Sequence, residues 1–410
     1  MQTQQIQLRK QKGLEIAKTG KVRYNNGKWK VPSQSLNKTY DVILKLEKSV
    51  CNCPDYLERD AKCKHIFAVE YAVEKTIDSN GSIRITRIKR ITYAQDWKNY
   101  TKAQTEEGRL FGVLLKDLVE NVQEPIQTFG RPRVPLKEAL FCAIDKVYSM
   151  QSSRRARSRY KDAEGKAQIT KAPSYNVINI TLNNPAITPI LNQLLHITAM
   201  PLKSVEGSFA VDSTGFRTTK FNEYCKDKHG TKETHKWVKC HAIVGTTTNI
   251  ITGVRITDEN VNDSPQFIPL VSETADAGFI MNEVSADKAY SSVANYNAVQ
   301  QVKGQAYIPF KSNATGQGSS SSSSTGNKAR LWRRMYWYYQ LKHDEFLEHY
   351  HNRSNVESTF MAVKFKFGDC LKNKTSVSQT NELLCKLIAY NITVLISAMF
   401  ELKIVPELHY

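Results

Sequence analysis

Four side chains between Tyr350 and Lys364 have the types and the spacing of a site for an anionic ligand. Tyr350, Arg353, Glu357 and Lys364 follow one another at intervals of three, four and seven residues. On a helix, these intervals place all four side chains near one face. A face with two cations, a phenol and a carboxylate does not belong in a hydrophobic core. It predicts contact with an anion, and it leaves the carboxylate of Glu357 free to bind a metal ion.

Two aspartates upstream lie where apolar segments end. Asp212 follows Phe209-Ala-Val, and Asp287 follows Val284-Ser-Ala. Each aspartate alone is typical of a helix cap or a turn, and Glu357 alone is typical of a helix surface. The predicted order is strand with Asp212, hairpin, helix, strand with Asp287, helix, strand, and helices with Glu357. A mixed sheet flanked by helices can bring these three acids to one edge.

Three carboxylates at one edge predict a site for divalent cations. Without a cation the three charges would repel one another. Hard oxygen ligands favour Mg²⁺ or Mn²⁺. Two such ions can activate an attacking water or 3′-hydroxyl and stabilise the leaving oxygen in an in-line displacement at phosphorus. The predicted chemistry is therefore metal-dependent phosphoryl transfer.

The segments around the acids resemble the DDE transposases of bacterial and archaeal insertion sequences. They are Asp212-Ser-Thr-Gly-Phe, Asp287-Lys-Ala-Tyr-Ser-Ser and Asn355-Val-Glu357-Ser-Thr-Phe, with the Tyr-x2-Arg-x3-Glu-x6-Lys spacing of one large branch. The resemblance covers roughly residues 206–402. It implies a ribonuclease-H-like fold, a metal-binding triad of Asp212, Asp287 and Glu357, and cleavage of element ends followed by strand transfer. It also implies that Arg353 and Lys364 contact phosphates near the cleaved end and that Tyr350 helps to position them.

A second motif, near the N-terminus, has the spacing of a zinc site. Cys51 and Cys53 form one pair of ligands, and Cys63 and His65 form the next pair about ten residues later. Two such pairs can close a tetrahedron around Zn²⁺, and four soft ligands without an acid predict a structural site. The pattern resembles the SWIM zinc-binding module over roughly residues 27–80. That resemblance implies a recognition module for DNA or for another protein.

A further group of potential ligands is more typical of a polar loop that leads into a strand. Its members are Cys225, His229, His235, Cys240 and His241. The group could also hold a second metal ion. We expect His241 on a strand close to Asp212, where it can support the acid site.

The composition indicates a polyanionic partner. The 410 residues suffice for two or three domains, and 58 Lys and Arg against 39 Asp and Glu give a formal net charge of +19. This surplus favours nucleic acid over a membrane surface or mere solubility charge. We expect no signal peptide, because the N-terminal segment is polar. We expect no membrane span, because polar residues interrupt the apolar segment 383–400. The predicted location is the cytoplasm, at the nucleoid, where cysteines stay thiols or metal ligands.

Three regions are expected along the chain. Residues 1–90 form the zinc module, 91–205 a helical basic region that binds DNA, and 206–410 the α/β catalytic domain. In the basic region, Arg154 and Arg155 open a basic run that either contacts phosphates or forms a solvated helix end. No clear helix-turn-helix precedes the catalytic region.

The leading hypothesis is an active transposase that is at least dimeric, since two DNA ends must be held together. One alternative is a domesticated DNA-binding protein that has lost its chemistry. The other is a ribonuclease-H-like nuclease without strand transfer.

Overall fold

The protein forms two compact units, Met1–Trp97 and Lys98–Tyr410. The computed structural model describes residues 2–18, 22–25, 28–34, 38–44, 48–77, 83–88, 96–218, 237–316 and 328–408. Each unit has its own cluster of buried apolar side chains.

The first unit is built on a small antiparallel sheet. Its strands are β1 (Arg23–Asn25), β2 (Lys28–Pro32), β3 (Thr39–Ile43) and β4 (Val50–Cys51), in that order. The helices are α1 (Gln2–Lys18), α2 (Pro54–Arg59) and α3 (Lys64–Ala72), and a hairpin follows, β5 (Val73–Ile77) with β6 (Ile83–Ile88). Alternating apolar residues over 40–46 predict a strand, which is β3, although β3 ends at Ile43. Val42 is fully buried, whereas Leu46 lies outside the described residues. The predicted helix near His65 is α3.

The second unit begins with helices. They are α4 (Trp97–Glu120), which starts at the boundary, α5 (Leu136–Tyr148), α6 (Ser153–Gly165), α7 (Tyr175–Leu182), α8 (Ile187–Ala199) and a 3₁₀ turn (Met200–Leu202). The apolar spacing around Phe111, Leu114, Leu115 and Leu118 predicted α4, and all four of these side chains are buried.

A mixed five-stranded sheet forms the centre of the second unit. Its strands are β7 (Ser208–Arg217), β8 (Trp237–Gly245), β9 (Ile251–Asp258), β10 (Glu283–Ala286) and β11 (Gln305–Tyr307). The spatial order is β11-β10-β7-β8-β9, with β10 parallel to both of its neighbours and β7-β8-β9 antiparallel. The predicted hairpin across residues 247–249 is therefore confirmed.

Helices cover the sheet and confirm the predicted α/β class. Two of them lie between strands, α9 (Ser264–Asp276) and α10 (Val293–Gln301), and a 3₁₀ turn (Lys288–Tyr290) follows β10. The C-terminal helices are α11 (Lys328–Leu341), α12 (His343–Tyr350), α13 (Ser354–Phe367) and α14 (Ser376–Glu401), with a 3₁₀ turn (His351–Arg353) before α13. α14 is long and apolar enough to cross a membrane, but most of its side chains are buried inside the protein, as predicted.

The first of the C-terminal helices is shorter than the sequence suggests. The residue pattern over about 329–349 predicts a single helix, but α11 ends at Leu341 and α12 begins at His343. Lys342 between them has φ −126° and ψ 48°, which is not helical. Aromatic contacts of Tyr338 and Tyr339 with Phe346 hold the two helices at this bend. The break depends on packing that a local pattern does not contain.

The expected boundary near residue 205 does not separate two units in the structure. Helices α4 to α8 share one hydrophobic core with the sheet and with α14. The amide of Asn391 on α14 joins the two parts: it donates to Thr198 Oγ1 at 2.9 Å and to the Ile251 carbonyl at 2.8 Å, and it accepts from the Ile251 amide at 3.0 Å. The helical region is therefore part of the support of the catalytic sheet.

Replacing Asn391 by Ala should destabilise the second unit by about 3 kcal/mol, because polar groups of Ile251 and Thr198 lose a buried partner. Urea unfolding followed by tryptophan fluorescence measures the change. The control is Asn192→Ala, whose half-buried amide only donates to the Thr188 carbonyl of its own helix at 3.2 Å. It should cost no more than about 0.5 kcal/mol. Equal losses in the two variants would contradict a joint role of Asn391 in both parts.

Candidate active site

The parallel pairing of β7 and β10 brings the two aspartates together. Ala286 pairs with Val211 in the register, so the next residues, Asp287 and Asp212, come side by side. Neighbouring strands lie about 4.8 Å apart. Asp287 also caps the 3₁₀ turn that follows it, since its carboxylate accepts from the amide of Lys288 at 2.5 Å. Asp287 follows the end of β10, as predicted, but Asp212 lies within β7, which continues to Arg217 instead of ending at the acid. The two aspartates meet where β10 ends beside β7.

Asp212 is the more enclosed of the two acids. Burial raises the pKa of its carboxyl group. The amide of Ser213 and Nη1 of Arg353, each donating at 2.8 Å, oppose that rise, and the charge of Asp287 adds to it. A carboxylate in this position is stabilised by any cation at the same edge.

Glu357 approaches the aspartates from the first turn of α13. Its side chain is 55% exposed, and its Oε1 accepts from Nη2 of Arg353 at 2.6 Å. The other terminal nitrogen of the same guanidinium binds Asp212. A single arginine thus bridges Asp212 and Glu357 and holds the glutamate at the sheet edge.

The four motif residues do not share one helix, and of the four only Tyr350, Arg353 and Glu357 are joined by hydrogen bonds. Tyr350 ends α12, Arg353 lies in the 3₁₀ turn, and Glu357 and Lys364 lie on α13. Tyr350 Oη accepts from Nε of Arg353 at 3.1 Å, so the phenol orients the guanidinium. Lys364 Nζ donates to Thr214 Oγ1 at 2.7 Å and lies over the ring of Phe216, and burial lowers its pKa.

The structure assigns Arg353 a contact that its predicted role does not include. The resemblance implied a phosphate contact, whereas the guanidinium here forms ion pairs with two of the three acids. A planar fork with several donors suits carboxylates as well as phosphates. In this conformation Arg353 supplies the positive charge that the acids require.

A wide cleft opens beside Asp287. Its volume is about 1280 Å³, and it lies between the loop after β11 and helix α11. Cationic and aromatic side chains line it, among them Lys288, Lys311, Tyr336 and Tyr339. Such a surface suits a nucleic-acid strand, because cations bind phosphates and aromatic rings stack on bases.

The predictions from the sequence do not include the side of this cleft that α11 forms. A signal for it is present in Arg330-Leu-Trp-Arg-Arg-Met-Tyr-Trp-Tyr-Tyr339, which mixes basic and aromatic residues. The Gly/Ser-rich composition of residues 312–327 predicts a loop, of which residues 317–327 lie outside the described residues.

The donor set at the sheet edge fits hard divalent cations. Asp212, Asp287 and Glu357 supply only carboxylate oxygens, which Mg²⁺ and Mn²⁺ prefer. Asp212 is already paired with a cation, and Glu357 is exposed to the solvent from which an ion arrives.

The zinc ligands predicted near the N-terminus converge. One ligand atom from each of Cys51, Cys53, Cys63 and His65 lies within 4.8 Å of all the others, and all four residues are buried. Nδ1 of His65 is 3.9 Å from the sulfur of Cys63 and 4.0 Å from that of Cys51. Around tetrahedral Zn²⁺ such atoms stand about 3.5 Å apart. The four ligands therefore fit a closed structural site.

Local structure explains the convergence of these ligands. Cys51 lies on β4, Cys53 caps α2, and His65 lies in the first turn of α3. A hydrogen bond with Cys51 lowers the pKa of the Cys63 thiol, and the same bond raises the pKa of Cys51. Thiolate character is what a zinc ligand needs.

The other predicted groups have different outcomes. Cys225, His229 and His235 lie outside the described residues. His241 is buried opposite Ser213, with Nδ1 3.2 Å from Asp263 and Nε2 2.9 Å from Thr257 Oγ1, so it does not contact Asp212. All seven cysteines in the described parts are free thiols, as expected.

The basic run on α6 divides into two groups. Arg157 donates to the Pro173 carbonyl, and Arg159 forms a two-pronged ion pair with Asp145, so these arginines stabilise the helical region. Arg154 and Arg155 are exposed, with Arg154 near the ring of Tyr175 at 5.5 Å. These two remain available for the predicted phosphate contacts.

A mixed sheet with three acids at one edge defines a class of metal-dependent phosphoryl-transfer domains. Comparison with known families specifies which one. Residues 203–392 match the family model described as the transposase DDE domain, and residues 37–74 match the SWIM zinc finger. The chain thus contains a transposase DDE domain and a SWIM zinc finger. A DDE domain implies a divalent metal ion, and a SWIM zinc finger implies zinc.

A structural likeness exists to a piggyBac transposase, solved by cryo-electron microscopy as a synaptic complex with hairpin DNA. The sequences are 11% identical, and the alignment covers 70% of this chain and 73% of that chain, with a TM-score of 0.32. A score at this level denotes a weak likeness, and the assignment above rests on the two family matches.

Proposed function

We propose that this transposase cleaves DNA at the ends of its own insertion sequence and joins the cleaved ends to target DNA. The observation that carries the proposal is the parallel register of β7 and β10, which pairs Asp212 with Asp287 beside the glutamate of α13. Asp212, Asp287 and Glu357 would hold two divalent ions, Mg²⁺ or Mn²⁺. When bound, these ions activate the attacking hydroxyl and stabilise the leaving oxygen.

The residues around the triad position the DNA. The guanidinium of Arg353, which lies between Asp212 and Glu357, would also pair with a phosphate next to the cleaved bond. Tyr350 holds that guanidinium through its hydroxyl. Lys364 lies on the Asp212 face of β7, bound to Thr214 two residues further along, about 7 Å away. Its ammonium offers a second phosphate contact.

The remaining parts serve recognition. Arg154 and Arg155 contribute salt-dependent affinity for the DNA backbone. The zinc module recognises DNA or a second protein chain. The protein acts in the cytoplasm, at the nucleoid, and at least two copies assemble, because two element ends have to be joined to one target.

The decisive experiment uses DNA that carries the short inverted repeats flanking the reading frame. The full chain is incubated with this DNA and Mg²⁺ or Mn²⁺, and the products are separated by size and sequenced. Cleaved ends joined to new target sites support the proposal. Nicks without joined products would indicate a ribonuclease-H-like nuclease, and binding without cleavage would indicate a domesticated DNA-binding protein.

Arg353 should compete with the catalytic metal ions for the acids. Replacing it by Ala should tighten Mn²⁺ binding about tenfold, since an ion pair of about 1.4 kcal/mol no longer has to be broken. Calorimetric titration of Mn²⁺ into the zinc-loaded protein measures this affinity without any DNA. The control is Arg217→Ala, which removes a similar pair with Asp369 and should leave Mn²⁺ binding unchanged. Weaker binding by the Arg353 variant would contradict the competition.

A further inference from the structure

The connection between α4 and α5 displays apolar and basic side chains on an exposed loop. Every residue from 123 to 133 is exposed. Ile126 is 94% exposed and Phe129 88%. Arg131 and Arg133 follow on either side of a proline, and neither forms an ion pair within the described parts of the chain. Two free arginines beside an exposed aromatic ring have no function within the fold.

This loop has a defined conformation despite its exposure. The side-chain amide of Gln127 donates to the carbonyls of Phe129 at 3.1 Å and Arg131 at 2.8 Å, and its oxygen accepts from the amide of Arg133 at 3.2 Å. Gly130 between them has φ +93°, a conformation that favours glycine. One side chain thus fastens the segment that carries both arginines.

The base of the loop is fixed to the second unit. The carboxylate of Glu124 accepts from the amides of Leu136 at 2.6 Å and Lys137 at 3.1 Å, at the start of α5. Glu124 is the single acid between residues 121 and 135, and these bonds engage it. The tip therefore presents positive charge without a neighbouring negative group, on a preorganised support.

The geometry of the tip fits the minor groove of DNA. Pro132 restricts Arg131 to extended backbone. Arg131 and Arg133 are therefore separated by two extended residues, or about 6.5 Å along the chain. This separation matches the length of two base-pair steps, about 6.8 Å. The minor groove, about 6 Å wide, is too narrow for a helix but admits an extended arm, and its negative potential in A·T tracts attracts arginine. Apolar side chains such as Phe129 accompany arginines in proteins that bind this groove.

We propose that residues 123–133 form an arm that binds the minor groove of A·T-rich DNA, with Arg131 and Arg133 in the groove and Phe129 against its wall. This inference rests on the proposed function in that the DNA is the transposon's own. α4 contacts α13 through Glu107, whose carboxylate binds Lys366 at 2.8 Å. From there to the end of α4 is about 20 Å at 1.5 Å per residue. The arm therefore belongs to the same unit as the helix that carries Glu357 and lies away from the contact between α4 and α13.

Three duplexes of about 20 base pairs test the arm by fluorescence anisotropy: one A·T-rich, one G·C, and one with inosine replacing every guanine. Inosine removes the amino group from the minor groove and leaves the major-groove face of the pair unchanged. The full zinc-loaded chain is used without added Mg²⁺ or Mn²⁺, so that no cleavage occurs. We expect the A·T and inosine duplexes to bind about tenfold more tightly than the G·C duplex.

Substitutions distinguish a DNA preference that depends on the arm from an affinity that depends only on positive charge. The double substitution Arg131→Ala and Arg133→Ala should abolish the preference, and Gln127→Ala should reduce it while every charge is kept. The control Lys303→Asn removes an exposed cation at a left-handed position that Asn tolerates, and it should keep the preference. Circular dichroism confirms that each variant is folded.

Two outcomes would overturn the proposal that residues 123–133 bind the minor groove. One is equal binding of all three duplexes by the unaltered protein. The other is a preference that survives the double substitution. If the double variant instead lost self-association in light scattering and kept its DNA preference, the loop would be a protein interface. Cleavage of element ends without any minor-groove preference would reject the arm and leave the proposed function intact.

Discussion

Replacing Asp212 by Asn is expected to lower the rate of DNA cleavage about a thousandfold, with folding and DNA binding retained. Asn keeps the shape of the side chain and can still accept from the amide of Ser213. It removes the charge that holds a divalent ion, whose transition-state stabilisation is several kcal/mol, and each 1.36 kcal/mol corresponds to a factor of ten. Initial cleavage rates under saturating Mg²⁺ measure the loss.

The matched control for this variant is Asp276→Asn. Asp276 is an exposed acid at the end of α9, and its substitution should leave the cleavage rate within about twofold, as for an ordinary surface change of less than 0.5 kcal/mol. Asp287→Asn and Glu357→Gln should behave like Asp212→Asn. If any of the three retained the cleavage rate of the unaltered protein, the assignment of the triad would fail at that residue.

Replacing Cys63 by Ser is expected to unfold the first unit. A structural zinc ion contributes about 10–16 kcal/mol in small zinc modules, which is as much as the whole stability of a typical domain. The core of this unit is small, and the buried ligands Cys51, Cys53 and Cys63 are themselves part of it. Without the ion, this core cannot offset the conformational entropy of the chain. Metal analysis should show the loss of one zinc ion per chain.

Limited proteolysis distinguishes local from global unfolding in the same variant. Protease should remove residues 1–97 and leave a stable fragment that begins near α4, because the second unit has its own core. The control Cys142→Ala alters a buried thiol of the second unit and should retain the zinc. A Cys63→Ser protein that keeps its zinc and resists protease would contradict the structural role of the site.

Local patterns carried most of the information about the two sites. Short apolar runs that end in Asp212 and Asp287 predict strands with acids at their ends, because alternation and burial are local properties of the chain. The two ligand pairs with Cys51 and His65 predicted a zinc site, since coordination geometry depends on spacing. The zinc ligands converge as predicted, and β10 ends just before Asp287, but β7 continues past Asp212 to Arg217 because it pairs with β8 along that length.

Other features depended on partners that are distant in sequence. Arg159 and its ion-pair partner Asp145 are 14 residues apart in sequence. Arg353 and its partner Asp212 are 141 residues apart. No residue pattern within a helix specifies such partners. The break at Lys342 and the shared core of α8 with α14 likewise arise from packing between elements.

Side-chain types alone predict the chemistry of this protein: three acids for metal ions, two cations for phosphates, and four soft ligands for zinc. They do so because side-chain type decides which ions and groups a site prefers. Only the folded chain shows that Arg353 pairs with the acids, that Lys364 binds Thr214, and that the helical region belongs to the same unit as the sheet. These contacts follow from strand register and core packing, which bring together residues far apart in the chain.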